Sequence, residues 1–335
     1  MSDPRAFFAR LAGDLAGAHG AALVVIGDRL GLYRALAEAP ATPAELARRT
    51  ATHERYVLEW LRHQDASGYV ERQGDAYGLS EAQRQAFASE GGPAFAVPAF
   101  QLAAGLAGAI DQAVDAFRTG AGIDPAAYPQ DVRDAIARGS AALAEKRLVS
   151  AWLPPDVSAR LAAGGHGADL GCGRGGIVST LATAFPRARW VGLDVDEPAL
   201  VEARRACEPF GERVRFERGS SDALAGELDL VTCVDALHDL PDPPAALRRI
   251  RAAVRGGGCA LVVEPCASGR PEAFVRLLAA ISTLYCVPVG RGGGGDGRGA
   301  LGDEAELLRL LESAGFGQVR VVERLPLHVV VEARP

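Results

Sequence analysis

The chain has 335 residues, 48% of them apolar, and a formal net charge of −6. That length suggests two or three domains, and the apolar content suffices for a sizeable core. The charge excludes a global electrostatic drive toward nucleic acid or an anionic membrane. Cysteines at 172, 207, 233, 259, 266 and 286 form no Cys-x-x-Cys and no Cys/His zinc spacing. They read as buried free thiols, and no metal is expected. The start, Met1 to Arg5, is polar and leads into an amphipathic segment, unlike a signal peptide. The apolar stretch Ala94–Ile110 is broken by Pro98 and Gly105, so no membrane span and a cytoplasmic location are expected.

Residues from about 6 to 38 carry the apolar stripes of two helices, through Leu11, Leu15, Leu23, Ile26, Leu30, Leu32 and Leu36. Thr42-Pro-Ala-Glu45 is a capping box with Pro at the first helical position, opening a helix to Arg49. Another helix starts at Thr52–Arg55 and ends at Gly68. Tyr69–Arg72 and Ala76–Leu79, around Gly74-Asp75, form a small hairpin. Helix, turn, helix, hairpin is the winged-helix pattern, here over residues 1–90. Such a module reads DNA when its recognition helix is basic, or else pairs subunits. Arg55 and Arg62 are offset by Glu54 and Glu59, which disfavours phosphate contact.

Residues 91–150 read as a helical linker or substrate lid, with breaks at 120–122 and 125–129. Phe95, Phe100, Leu102, Leu106 and Phe117 there could line a pocket or simply be core. From 151 to 335 strand and helix alternate. Strands are expected near 168–171, 190–194, 213–217, 228–234, 258–264, 318–323 and 327–333, with helices near 176–185, 197–207, 244–254, 271–285 and 303–314. The alternation predicts an α/β, Rossmann-like, doubly wound parallel sheet of seven strands. Leu325-Pro326 leaves room only for a C-terminal antiparallel hairpin. The glycine-rich loop Arg291–Gly299 is expected to act as a mobile lid.

Gly171, Gly173 and Gly176 fit G-x-G-x-x-G at the first strand-to-helix turn. The next strand ends in Asp194, roughly 20 residues on, where a carboxylate can bind both ribose hydroxyls. Asp169, two residues before the first glycine, would repel a phosphate but suits an ammonium. Asp169-Leu-Gly-Cys-Gly-Arg-Gly175 resembles the first motif of class I S-adenosylmethionine (SAM) methyltransferases. That resemblance implies SAM as cofactor, with S-adenosylhomocysteine as product, and Asp169, Gly171, Cys172, Gly173, Asp194, Val195 and Asp235 as cofactor residues. Gly219–Leu224 is similar to the family's adenine-binding turn, which makes Ser221 and Asp222 the adenine candidates, in either register.

Val234-Asp-Ala-Leu-His-Asp-Leu-Pro-Asp242 resembles the His-Asp-Trp-Ser-Asp segment of small-molecule O-methyltransferases. The resemblance makes His238 the general base and Glu264, at the fifth strand end, the group that orients it. The family's second carboxylate has no counterpart in register at Ala300–Gly302, though Asp296 and Asp303 lie nearby. The whole chain also resembles winged-helix methyltransferases of high-GC bacteria, with His328 standing where that group carries Asn. The expected function is SAM-dependent methylation of a small organic molecule, by a homodimer that binds neither nucleic acid nor membrane. The alternatives are N- or C-methylation by proximity, a SAM-fold enzyme with a non-methylating reaction, and a winged-helix ligand-sensing regulator.

Overall fold

The structure is a computed structural model that describes residues 3–92, 94–145 and 147–335, with backbone alone at 140–145. Met1 and Ser2 of the polar start, Pro93, and Lys146 lie outside the described residues. The chain divides into one compact unit of residues 1–108 and 129–143 and another of 109–128 and 144–335. The 91–150 stretch, expected as a separate helical region, is thus shared between the two.

In the first unit, Asp3 caps helix α1 (Pro4–Arg29), and Gly31 at φ 69° turns the chain into α2 (Leu32–Glu38). The Thr42/Glu45 capping box opens α3 (Pro43–Arg49). Helix α4 (Glu54–Ala66) is followed by the hairpin of β1 (Glu71–Gln73) and β2 (Ala76–Gly78), paired antiparallel. A second capping box, Ser80/Gln83, opens α5 (Glu81–Phe87). Tyr33, Trp60, Leu61, Tyr77 and Phe87 form the core, where the Tyr33 hydroxyl donates to Gln64 Oε1 at 2.6 Å. Helix α6 (Val97–Leu106) adds to this unit, and Phe95 and Phe100 pack against the same core. On α4, both Arg55 and Arg62 are paired with Glu59.

Helix α7 (Ile110–Thr119), on which Phe117 is exposed, belongs to the second unit, whereas α8 (Gln130–Glu145) returns to the first. Arg138 on α8 ties Glu90, Asp28 and Gln101 together.

The second unit continues with α9 (Pro155–Ala162), β3 (His166–Leu170), α10 (Gly176–Ala184), β4 (Arg189–Asp194), α11 (Glu197–Ala206), β5 (Val214–Arg218) and β6 (Leu228–Val234). Then come α12 (Pro243–Ala253), β7 (Val254–Pro265), α13 (Glu272–Ile281), α14 (Val287–Gly292), α15 (Glu304–Ser313), β8 (Gln318–Arg324) and β9 (His328–Arg334). The sheet order is β5-β4-β3-β6-β7-β9-β8. Strands β3 to β7 pair in parallel, and β9 is antiparallel to both β7 and β8. This is the expected seven-stranded sheet with its terminal hairpin. Strand β6 is buried at every position, as a central parallel strand covered on both faces should be. The order reverses direction between β3 and β6, which places the ligand crevice at their C-terminal ends.

Two sequence expectations need correction here. The helix foreseen over 271–285 is interrupted: a π-turn at Ser282–Cys286 joins α13 to α14. The wide turn holds Cys286 inside, 5% exposed. Two helical stretches, Pro4–Arg29 and Glu272–Gly292, are also long and apolar enough to cross a membrane by length and composition alone. The glycine-rich loop leaves α14 with its start anchored, because Arg291 Nε donates to Gly120 O at 2.6 Å and Ile123 N to Pro288 O at 2.9 Å.

Candidate active site

The turn after β3 is built from backbone. Gly171, Gly173 and Gly175 have φ of 76°, 48° and 78°, a region that other residues enter only with strain. The N–H groups of Gly171 and Cys172 both donate to Leu193 O, folding the turn over the end of β4. A Cβ on Gly171 would lie 2.3 Å from Ala236 Cβ, and one on Gly175 would strike the Phe216 ring at 2.8 Å. A Cβ on Gly173 would meet nothing within 4 Å. The outer two glycines therefore serve packing, and the middle one faces open space. Gly175, and not Gly176 as the spacing suggested, takes the third left-handed position; Gly176 is an exposed residue in the first turn of α10.

Asp194 ends β4 beneath this loop. Its Oδ2 accepts from Gly173 N at 2.7 Å and its Oδ1 from Asp196 N at 2.9 Å. Burial pushes its carboxyl above the usual range. Each oxygen keeps a second lone pair for a ligand hydroxyl. Val195 beside it is 60% exposed, a bare apolar surface at the strand end. Asp169 lies inside β3, 1% exposed. Its Oδ1 accepts from Thr232 Oγ1 at 2.7 Å, while its buried Oδ2 has no hydrogen-bond partner. Burial pushes its pKa up to about 7, with Asp194 acting in the same direction. Cys172 is buried, and its thiol is likewise raised by burial. Ser221 opens a short 3-10 turn, whereas the Asp222 side chain is 68% exposed and ion-paired with Arg249 on α12.

The other half of the crevice is built from side chains. Asp235 follows β6 with φ 51°, rare for a residue with a Cβ. Its Oδ1 meets His328 Nε2 at 2.8 Å, across the end of β7. Three residues on, His238 lies in a 3-10 turn that Glu264 holds. The Glu264 carboxylate accepts from the backbone N–H groups of Ala236, Leu237 and His238, at 3.2, 2.9 and 3.2 Å. It also meets His238 Nδ1 at 2.8 Å, fixing the ring so that Nε2 faces away from it. On that side Asp239 Oδ1 lies 3.5 Å from Nε2. Burial alone would lower the imidazole pKa, but Glu264 and Asp239 outweigh it and hold it well above the usual value.

No acid is in register at residues 300–302, and the second carboxylate beside the imidazole is Asp239, its neighbour in sequence, 3.5 Å from Nε2. Asp303 instead caps α15. Burial pushes Asp239 up to about 6, and its Oδ1 is buried without a hydrogen-bond partner. Tyr285 is a further residue that sequence reasoning missed. Burial holds its phenol well above the usual value, and Asp239 and Asp194 act in the same direction. The hydroxyl therefore sits within electrostatic reach of both halves of the crevice. The ring packs on Tyr128 at 4.9 Å between centroids, and Tyr128 donates to Leu284 O.

A cavity of about 90 Å³ touches His238 and Glu264, and Leu301, Leu307, Leu310 and Val329 line its wall. A larger one, about 340 Å³, lies by Arg204, Phe216 and Glu217 and contains none of the motif residues. The smaller cavity reaches His238 and Glu264 but does not include Asp239, Tyr285, Cys286, Asp194 or the glycine turn.

Residues 168–260 match the family model described as a methyltransferase domain, and residues 18–87 that of a Rv2258c-like winged HTH domain. With the sheet order and the glycine turn, these matches mark in the chain a class I SAM methyltransferase fold around residues 168–260 and a winged-helix domain over residues 18–87. Among solved structures it is similar to the mitomycin 7-O-methyltransferase MmcR, at 22% identity and TM-score 0.64, with 99% of each chain covered. It is similar also to CalO1, a methyltransferase in calicheamicin biosynthesis, at 18% identity and TM-score 0.67 over the full length of both. Both likenesses concern the fold. Among curated proteins, trans-aconitate 2-methyltransferase of Deinococcus radiodurans is 32% identical over 160 residues. That match covers 47% of this chain and 60% of the relative.

The cofactor of this fold class is SAM, and the residues fit it. The orphaned Asp169 Oδ2 requires a cationic or neutral donor, as an ammonium provides. The Asp194 carboxylate would accept from a ribose diol, and the open face of Gly173 leaves room for close approach.

Proposed function

We propose that this protein is a SAM-dependent methyltransferase acting on a small organic hydroxyl compound, with His238 as general base. The observation that carries this reading is the His238 ring held between Glu264 at 2.8 Å and Asp239 at 3.5 Å, next to the glycine turn. Bound there, SAM supplies a methyl group on a sulfonium centre, whose loss neutralises charge. The residues then need to bind, orient and deprotonate. Asp169 and Asp194 hold the cofactor's polar ends. Glu264 fixes Nδ1, so Nε2 is the nitrogen that takes the acceptor's proton. The imidazolium that forms is stabilised by the two flanking carboxylates.

The curated relatives' names support methyl transfer to small molecules, and that of a ubiquinone biosynthesis O-methyltransferase of Methylococcus capsulatus, 35% identical over 100 residues, supports oxygen as the acceptor atom. The test is a panel of hydroxylated acceptors assayed by S-adenosylhomocysteine release. Turnover with a hydroxyl acceptor, lost in His238→Ala, supports the reading. Turnover of amine or carbon acceptors alone, undisturbed in that variant, would replace it with methylation by proximity.

The winged-helix unit, in the same reading, pairs two copies of the chain. Helix α1 leaves Phe7, Phe8 and Leu15 exposed, at 42%, 67% and 61%. Arg55 and Arg62 share Glu59, and with Glu54 and Asp65 on the same helix α4 is net negative, which leaves little for phosphate. A monomer by light scattering at micromolar concentration would contradict the pairing. Sequence-specific DNA binding at physiological salt would favour a regulator.

A further inference from the structure

We propose that His238, Asp239 and Cys286 form a capture site for a soft divalent cation of the Zn²⁺ type, and that an ion held there takes the imidazole out of service. The first half stands on geometry; the second rests on the proposed role of His238 as base.

The three residues come from two elements, the turn after β6 and the π-turn before α14. One ligand atom of each, a ring nitrogen, a carboxylate oxygen and a thiol sulfur, lies within 4.8 Å of the others. Nε2 and Asp239 Oδ1 are 3.5 Å apart. An ion with bonds of about 2.0–2.3 Å in a tetrahedron spaces its ligands by roughly 3–4 Å. The nitrogen and oxygen already have that spacing, and the widest pair closes by about 1 Å.

Two independent observations point inward. Asp239 Oδ1 is buried and makes no hydrogen bond, with His238 Nε2 facing it at 3.5 Å, so the turn holds an acceptor whose hydrogen-bonding capacity is unspent. The other nitrogen of His238 is held by Glu264 at 2.8 Å, the carboxylate–imidazole relay that orients and strengthens metal-binding histidines. Cys286 is 5% exposed and placed by a π-turn, a distortion common at functional sites.

The donor set selects the ion. Nitrogen, sulfur and one oxygen suit Zn²⁺, whereas Mg²⁺ and Ca²⁺ need oxygen. Three protein ligands leave a fourth position open toward the crevice. Binding is an acid–base exchange without redox change. The Cys286 thiol proton, and any proton on Nε2, leave to solvent as the nitrogen and sulfur lone pairs bond to the ion. An Nε2 so engaged cannot accept the acceptor's proton.

The test uses the full-length protein, stripped with a chelator and titrated with Co²⁺, a coloured substitute for Zn²⁺. The expected result is one equivalent bound, with a thiolate-to-cobalt charge-transfer band that Zn²⁺ displaces. Cys286→Ser should abolish the band, while Cys266→Ser, outside the cluster, should keep it. Glu264→Gln should weaken binding by about 10–100-fold. Circular dichroism melts confirm that each variant folds, and Cys286→Ala replaces any serine variant that does not. No band, or a band that survives in Cys286→Ser, overturns the site. Zn²⁺ should stop S-adenosylhomocysteine release at the concentration that fills the site. A filled site with undiminished turnover would overturn the inhibitory half and count against His238 as base. A missing Co²⁺ band together with a dead His238→Ala would remove the metal site and leave the base intact.

Discussion

The two halves of the crevice are made differently. The cofactor half, at the ends of β3 and β4, is a backbone construction: three left-handed glycines, amides folded onto Leu193 O, and a carboxylate held by the amides of Gly173 and Asp196. The acceptor half, at the ends of β6, β7 and β9, is a cluster of titratable side chains. In the proposed reading the first half, with the Asp169 and Asp194 carboxylates, would hold the cofactor, and the second would handle the acceptor. The halves should therefore fail separately when mutated.

The largest expected effect is on the acceptor half's own stability. Glu264→Ala leaves three backbone amides and an imidazole without their acceptor, in a place only 6% exposed. Breaking a buried charged network in this way costs about 3–5 kcal/mol, measurable by urea unfolding. A loss below about 1 kcal/mol would mean the turn stands without Glu264. Glu264→Gln, which keeps one acceptor oxygen, should lose less.

In the cofactor half, Asp194→Ala should weaken SAM binding by about 1.5–3 kcal/mol, the worth of hydrogen bonds to a charged group. Calorimetry reads this directly, and an unchanged affinity would remove the ribose assignment.

Asp169 gives this half a pH dependence. Its pKa is about 7 in the folded chain against an ordinary 3.8, so below neutrality the folded acid keeps its proton. An ammonium requires the carboxylate. SAM affinity should then rise with pH, by up to about tenfold per unit below that pKa, with a proton released on binding. Asp169→Asn should flatten the profile; a flat wild-type profile would place the ammonium elsewhere. The same shift makes this group's contribution to folding fall as pH rises from 3.8 toward 7, because the native state holds a proton the unfolded chain has lost.

The smallest effect is expected at Asp222. Its side chain is exposed and paired with Arg249, so Asp222→Ala should change stability by about 0–1 kcal/mol and leave SAM affinity unaltered. A tenfold loss of SAM affinity would instead put Asp222 at the adenine and leave Ser221 without that role.

The same contrast explains what was legible. The strands, the terminal hairpin and the positions of Asp169 and Asp194 follow from local periodicity and from glycines that only a turn would need. The third left-handed glycine was misplaced by one residue because Gly175 and Gly176 are adjacent and only backbone angles tell them apart. The acceptor half joins residues 235–239, 264, 285–286 and 328, which no spacing rule connects. His238 and Glu264 were accessible because they stand where the resembled family's motifs place them, after β6 and near the end of β7. Tyr285 and Cys286 were not, since their place depends on a π-turn that the helical pattern of 271–285 concealed. His328 stood out in the sequence, but its partner Asp235 emerged only from the order β6-β7-β9.

The most direct test of this division is His238→Ala, assayed for both SAM binding and turnover on one acceptor. Removing a general base should lower kcat by about 10²–10⁴-fold. The dissociation constant for SAM should stay within about twofold of wild type, a change of under 0.5 kcal/mol. The wild-type rate should rise with pH as the raised imidazole sheds its proton, and the variant should lose that dependence. A variant that keeps its kcat, or that loses SAM affinity along with it, would contradict a base that works apart from the cofactor half.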